Sequence, residues 1–205
     1  MPYIGTQPND VKQNTGLYTP SEILELTKDG HWGGSLELIQ SRTVSGVSQV
    51  DFTSIQEQNY DVHFIEYNVK PSADTQNYIR FSNDSGSSFE TSNYKYLFYI
   101  LDSSSGAGQT TSVSSNQMYL NYGGGTGANE KHTAYYYFYN LGNANKKSLV
   151  SSKAVNLSST GSEHTFFSGG CYDVKEAING IRLYPQNGNI TGVVKLFGIK
   201  KIWVT

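Results

Sequence analysis

The chain has 205 residues, enough for one β-rich domain to bury a core without staples. Its 15 Lys+Arg against 17 Asp+Glu leave a net charge of −2, which removes the electrostatic case for nucleic acid or an anionic membrane surface as partner. Charged residues are only 16 % of the chain while 21 Gly and 16 Tyr stand out, so the surface is made polar by Ser, Thr, Asn and Tyr rather than by Lys and Glu.

Residues 1–35 read as a segment of their own. The opening "MPYIGTQPNDVKQ" is extended in character and lacks the basic-then-apolar order of a signal peptide. "YTPSEILELTKDG" then supplies helix signals: Thr19 as cap, Pro20 at the first helical position and Glu22 completing a capping box. Tyr18 and Ile23 are spaced for a hydrophobic staple, and Gly30 ends the helix. A helix of little more than two turns is unstable alone, so this arm is expected to pack on the body or on another subunit. No apolar run approaches the roughly 18–20 residues that span a bilayer, and no membrane insertion is expected.

Beyond "HWGG" the period of the sequence changes to two. Eleven β-prone runs follow, at 36–41, 47–52, 62–69, 78–81, 94–101, 117–122, 133–139, 148–155, 164–167, 178–184 and 192–204. Their spacing, with turn residues between, predicts an antiparallel β-sandwich or barrel over 36–205, the sandwich being the expected form, carrying an N-terminal arm (1–35) with one short helix. Apolar residues keep one parity in Ile65, Tyr67, Val69, in Met118, Leu120, Tyr122 and in Tyr135, Tyr137, Tyr139. The run 94–101 is apolar on both parities, as in a strand covered on both faces or at a subunit interface. The last two runs, joined by "PQNGNITG", read as a C-terminal hairpin, while "LDSSSGAGQTTSVSSN" and "YGGGTGANEKH" read as solvent loops.

No catalytic, metal or cofactor signature emerges from the residues. "GGGTGANEK" lacks the phosphate-loop spacing and precedes no helix. His31, His63, His132 and His164 are scattered without metal-ligand spacing and read as surface or strand residues. No Gly-x-Ser-x-Gly elbow occurs, and Cys171, the single cysteine, sits in no catalytic context. Asp51, Glu66, Glu90 and Asp173 are the carboxylates a glycosidase pair would draw on, with nothing in the sequence to bring two together. The sequons at Asn83, Asn156 and Asn189 reflect abundant Asn, Ser and Thr. "AYYYFYN" is the strongest compositional signal. Its tyrosines fit a sheet interior with hydroxyls at the rim, a protein interface, or an aromatic platform for sugars.

"VSGVSQVDFTSI", "YDVHFIEYNVKPSADTQNYIRFSNDSGSSFETSNYKY" and "INGIRLYPQNGNITGVVKLFGIK", together with the leader, resemble virion structural and tail-fibre-type proteins of bacteriophages, notably those of marine, cyanophage type. The resemblance implies a compact β-sandwich of jelly-roll kind and a non-enzymatic role in the virion, assembled in the host cytoplasm, with other tail or capsid proteins as partners and a homotrimer as the expected form. It implies Tyr3, Ile4 and Gly5 as a virion-docking element. Trp32, Tyr135, Tyr137 and Tyr139 are the aromatics expected at an interface or facing a host surface glycan. In "GNITGVVKLFGIKK", Gly198 is expected to allow a bulge or a close approach. Relatives of that group are often longer, so a chain with one β unit points to a small adaptor, capsid-decoration or short-fibre role.

Overall fold

The computed structural model describes residues 19–22, 24 and 36–200, and the chain divides after Ser35 into two units. In the first, Pro20, Ser21, Glu22 and Leu24 are helical. The capping box forms as expected: the Glu22 N–H donates to Thr19 Oγ1 at 3.3 Å and the Thr19 N–H to Glu22 Oε2 at 2.6 Å. These bonds hold the Glu22 carboxyl below its ordinary value. Tyr3, Ile4, Gly5, Tyr18, Ile23, Gly30, His31 and Trp32 lie outside the described residues.

The second unit is a two-sheet antiparallel β-sandwich. Its strands are β1 (Leu36–Val47), β2 (Val50–Phe52), β3 (Tyr60–Pro71), β4 (Thr75–Ser82), β5 (Tyr94–Asp102), β6 (Gly106–Ser115), β7 (Met118–Gly124), β8 (His132–Tyr139), β9 (Lys147–Leu157), β10 (Glu163–Lys175), β11 (Gly180–Pro185) and β12 (Ile190–Lys200). The eight-stranded sheet runs β1-β12-β3-β8-β9-β10-β5-β6 and the four-stranded sheet β2-β11-β4-β7. The pairings are nested. β1 meets β12, β2 meets β11, β3 meets β8 and β4 meets β7, alternating between the sheets. That is one long antiparallel ribbon wound on itself. Two hairpins, β5–β6 and β9–β10, are inserted into it, pair with one another through β5 and β10, and widen the large sheet beyond β8.

One core lies between the sheets. Ile65, Tyr67 and Val69, Tyr136 and Phe138, Phe98 and Ile100 point inward from the large sheet, and Phe52, Ile79, Phe81, Ile181 and Leu183 answer from the small one. In β8 the inward parity is that of Ala134, Tyr136 and Phe138, not that of Tyr135, Tyr137 and Tyr139, while the parity read from the sequence for β3 holds. So does the expectation for Gly198, where a Cβ would stand 2.3 Å from the Tyr60 ring packed across it.

Three expectations are corrected. The last two runs do not form a hairpin: β11 pairs with β2 and β4 in the small sheet, β12 with β1 and β3 in the large one. Their connector crosses the end of the sandwich along the β3–β4 connector, where Ser72 N–H donates to the Asn189 carbonyl and Gln186 N–H to the Gln76 carbonyl, each at 2.8 Å. Turn residues reverse the chain equally well between layers as within one. The "solvent loop" after Leu101 contains β6, an edge strand whose small polar residues need only one partner. In "YGGGTGANEKH", Gly124 and Gly125 are buried, and a Cβ on Gly124 would fall 1.3 Å from His132 Nε2. Only a glycine lets that imidazole in.

The outer face of the small sheet is locked by charge. Arg182 donates from Nε and from a terminal nitrogen to the two oxygens of Asp51, both at 2.8 Å, with its guanidinium 3.8 Å from the Phe89 ring centre. A planar fork matches a carboxylate and stacks on a ring in a way an ammonium does not. Arg182→Lys is expected to lower stability by about 1 kcal/mol, read as a shift in the urea midpoint at unchanged slope.

Candidate functional site

Which side chains face outward from the large sheet follows from strand register, because alternate residues share a face. One row across it runs Leu38, Phe197, Phe64, Tyr137, Ser151, Gly169, Leu97, Thr111. The next runs Ser41, Lys195, Glu66, Tyr135, Lys153, Phe167, Tyr99, Gln109. Tyr139, Leu149 and Cys171 lie side by side in a third row, and Thr133, Val155, Thr165 and Leu101 in a fourth. The result is a sheet face dominated by aromatic and aliphatic groups.

Its exposure is concentrated on the inserted strands. Leu97 is 58 % exposed, Val113 81 %, Leu149 44 % and Phe167 47 %, and Tyr99, Leu101 and Val155 are exposed with them. All seven belong to β5, β6, β9 or β10, and Leu38 of β1 and Tyr135 of β8 are exposed on the same face outside them. The charges on the face are engaged locally. Lys195 pairs with Glu66 at 3.0 Å, Asp173 takes Lys95 at 2.5 Å and also Lys147, and the Lys153 ammonium lies 5.3 Å from the Phe167 ring centre. Two cations on one carboxylate hold Asp173 down to about 2.

The face has relief. Phe64 meets Tyr137 at 5.0 Å and Phe197 at 5.7 Å between ring centres, and Tyr135 meets Tyr137 at 6.0 Å with planes at 77°. Tilted rings leaning on one another make a ridge, not a flat platform. Across β9 lies a groove of about 820 Å³, lined among others by Leu97, Thr111, Val113, Phe167, Gly169 and Cys171. A Cβ on Gly169 would meet only the Val150 carbonyl oxygen, at 3.5 Å, so the groove floor is open above it. Burial, more than the nearby Asp173, pushes the Cys171 thiol up, away from a reactive thiolate.

Of the residues singled out in the sequence, Tyr135, Tyr137 and Tyr139 come together on this face along β8. Asp51, Glu66 and Asp173 are each taken by a base, Arg182, Lys195 and the two lysines, and no two of these three are partners of one another. Leu97, Tyr99, Leu101, Leu149, Val155 and Phe167 were missed as site residues. Their only signal was apolar character on both parities, noted for 94–101 and equally present in β9.

A second polar feature is internal. Tyr67 donates to Asn77 Oδ1 at 2.9 Å, and the Asn77 amide donates to Asn121 Oδ1 at 2.8 Å and to His132 Nδ1. Asn121 in turn donates to the Tyr136 hydroxyl at 3.1 Å. Burial drives His132 down to about 4 and holds it neutral, with Nδ1 accepting. Of the histidines read as surface or strand residues, His63, His132 and His164 lie in strands β3, β8 and β10, and all three are buried. Among the described residues no group of three or more His, Cys, Asp or Glu is placed to hold a metal ion, and no helix is long and apolar enough to cross a membrane. No protein-family model matches the chain, and no curated protein matches it in sequence.

Proposed function

We propose that the protein is a non-enzymatic structural component of a phage virion, tail-associated or capsid-decorating, whose β-sandwich body assembles through the outer face of its large sheet. One observation carries this reading: the outer face of the large sheet exposes Leu97, Tyr99, Leu101, Val113, Leu149, Val155 and Phe167 on the strands inserted into the wound ribbon, with Leu38 and Tyr135 exposed beyond them. An apolar surface of this extent, rimmed by locally paired charges, is what a macromolecular interface has and a free surface avoids.

The strand order supports the virion reading. With the two inserted hairpins set aside, β1-β12-β3-β8 lies over β2-β11-β4-β7, the nested order of an eight-stranded jelly roll, an architecture that recurs in viral capsid and lectin domains. That is analogy of fold, to which the surface adds the functional argument. The tilted, mutually packed rings of Phe64, Tyr135 and Tyr137 favour protein packing over stacking on a host glycan.

Phe167→Glu places a carboxylate in the middle of this face without touching the core. The variant is expected to fold as the wild type does but to be lost from purified particles when it replaces the wild type in the phage, measured by quantitative mass spectrometry. Undiminished incorporation would contradict assembly through this face, and absence of the wild-type chain from particles would contradict the virion role.

A further inference from the structure

We infer that the large-sheet face pairs with a second copy of this chain about a twofold axis lying in the interface along β9. This rests on the assembly reading above and names the partner.

With β9 on the axis seven of the eight strands overlap, and at about 4.8 Å spacing with some eight residues along each they give a shared face of roughly 29 by 27 Å, about 780 Å². A stable interface needs about 800 Å² from each partner. The face is therefore large enough for one whole interface, and its width comes from the inserted strands.

A twofold pair requires self-complementarity: whatever projects on one side of the axis must fit what lies at equal distance on the other. Sheets pack face to face about 10 Å apart with strands within about 30° of alignment, so register predicts the contacts. With β9 on the axis, β8 of one copy lies over β10 of the other, and β3 over β5. Tyr137 then stands above Gly169, Phe64 above Leu97, Tyr135 above Phe167 and Tyr139 above Cys171. The aromatic ridge of each copy enters the groove of the other.

On the axis itself, Leu149, Ser151 and Val155 meet their own counterparts, two apolar contacts and one small residue that permits close approach. Lys153 does not confront its twin, since its ammonium is swung over Phe167. There it sits between that ring and the partner's Tyr135, a cation between two aromatic faces. A threefold assembly, the form expected from the sequence resemblance, would bring ridge to groove in a cycle and would not place β9 against β9.

The test uses the full chain in two variants. Gly169→Leu fills the groove where only the Val150 carbonyl lies near, so the protomer keeps its circular dichroism and melting temperature. Its dissociation constant, from light scattering across a dilution series, is expected to rise at least about thirtyfold, the loss of a central contact. Ser151→Cys, made together with Cys171→Ser and treated with a short bismaleimide that spans the gap between sheets about 10 Å apart, is expected to give a cross-linked pair in high yield, whereas Thr111→Cys in the same background, facing Phe197 of the partner, gives none. A wild-type chain that stays monomeric, a Gly169→Leu chain that associates unchanged, or a trimer without the Ser151→Cys cross-link would overturn the pair. Particle incorporation of Phe167→Glu judges the assembly reading separately, because a chain that is monomeric in solution and still excluded from particles by that substitution docks on another protein instead.

Discussion

Asn77→Ala is expected to destabilise the body by about 3–5 kcal/mol. The side chain is buried and its amide is the hub of a network joining both sheets: it accepts from Tyr67 of β3 and donates to Asn121 of β7 and to His132 of β8. Truncation leaves the Tyr67 hydroxyl, the Asn121 oxygen and the His132 nitrogen without this partner, all in a region closed to water. Each deprived buried group costs about 1–3 kcal/mol, and the cavity adds to that. Urea unfolding at neutral pH checks it. Loss of less than about 1 kcal/mol would mean the network relaxes or is hydrated, and the inter-sheet contact would then rest on the aromatic core alone.

Acidification is expected to remove about 3 kcal/mol of stability between pH 6.5 and 4. His132 is held neutral in the folded protein, titrating near 4 instead of the ordinary 6.5, because burial opposes its charge. As pH falls below 6.5 the unfolded chain takes up a proton that the folded one refuses, so stability is full above that value and drops until about 4. Below about 4 both states are protonated at this position and the loss is complete. His63, lowered by burial against the opposing pull of its bond to the Ile55 carbonyl, acts in the same direction. Asp84 and Asp173, held near 2 by serine and lysine partners, lose their native-state advantage only at lower pH, so the 6.5–4 window belongs to the histidines. Unfolding free energies measured at intervals across this range should fall for the wild type and fall less for His132→Gln. A flat wild-type profile would contradict the burial of the imidazole.

Of the residues behind these two effects, Asn77 and Asn121 were not marked by the sequence, and His132 was read only as a surface or strand residue. In β3 the alternation of Ile65, Tyr67 and Val69 revealed an inward face, but nothing in it distinguished Tyr67, whose hydroxyl needs a polar partner, from its aliphatic neighbours. In β7, Met118 of the expected parity is buried, and so is Asn121 three residues on, because the β4–β7 register shifts between Thr75 and Asn77 and again between Asn77 and Tyr78. Such irregularities depend on the partner strand and leave no local trace.

Long-range pairing was similarly hidden. The capping box of Thr19 and Glu22 and the alternating tyrosines of β8 are local, and they were legible. That β11 and β12 part into different sheets depends on β2, β4, β1 and β3, which lie far away along the chain. The candidate face was half legible: Tyr135, Tyr137 and Tyr139 announced themselves by composition, whereas Leu97, Leu149 and Phe167 matter only because register sets them beside one another. β6 was overlooked because "GAGQTTSVSS" carries the composition of a loop and becomes a strand by pairing with β5.

The twofold pair requires that the outer face of the large sheet be covered by a second copy of this chain. Hydroxyl-radical footprinting of the full chain, compared between concentrated and highly dilute solution, tests it residue by residue. Leu97, Tyr99, Leu149 and Phe167 are predicted to be protected in the concentrated sample and oxidised in the dilute one, while Phe89 and Tyr184 on the small sheet react alike in both. Equal oxidation of the large-sheet residues at both concentrations, or protection confined to the small sheet, would contradict it.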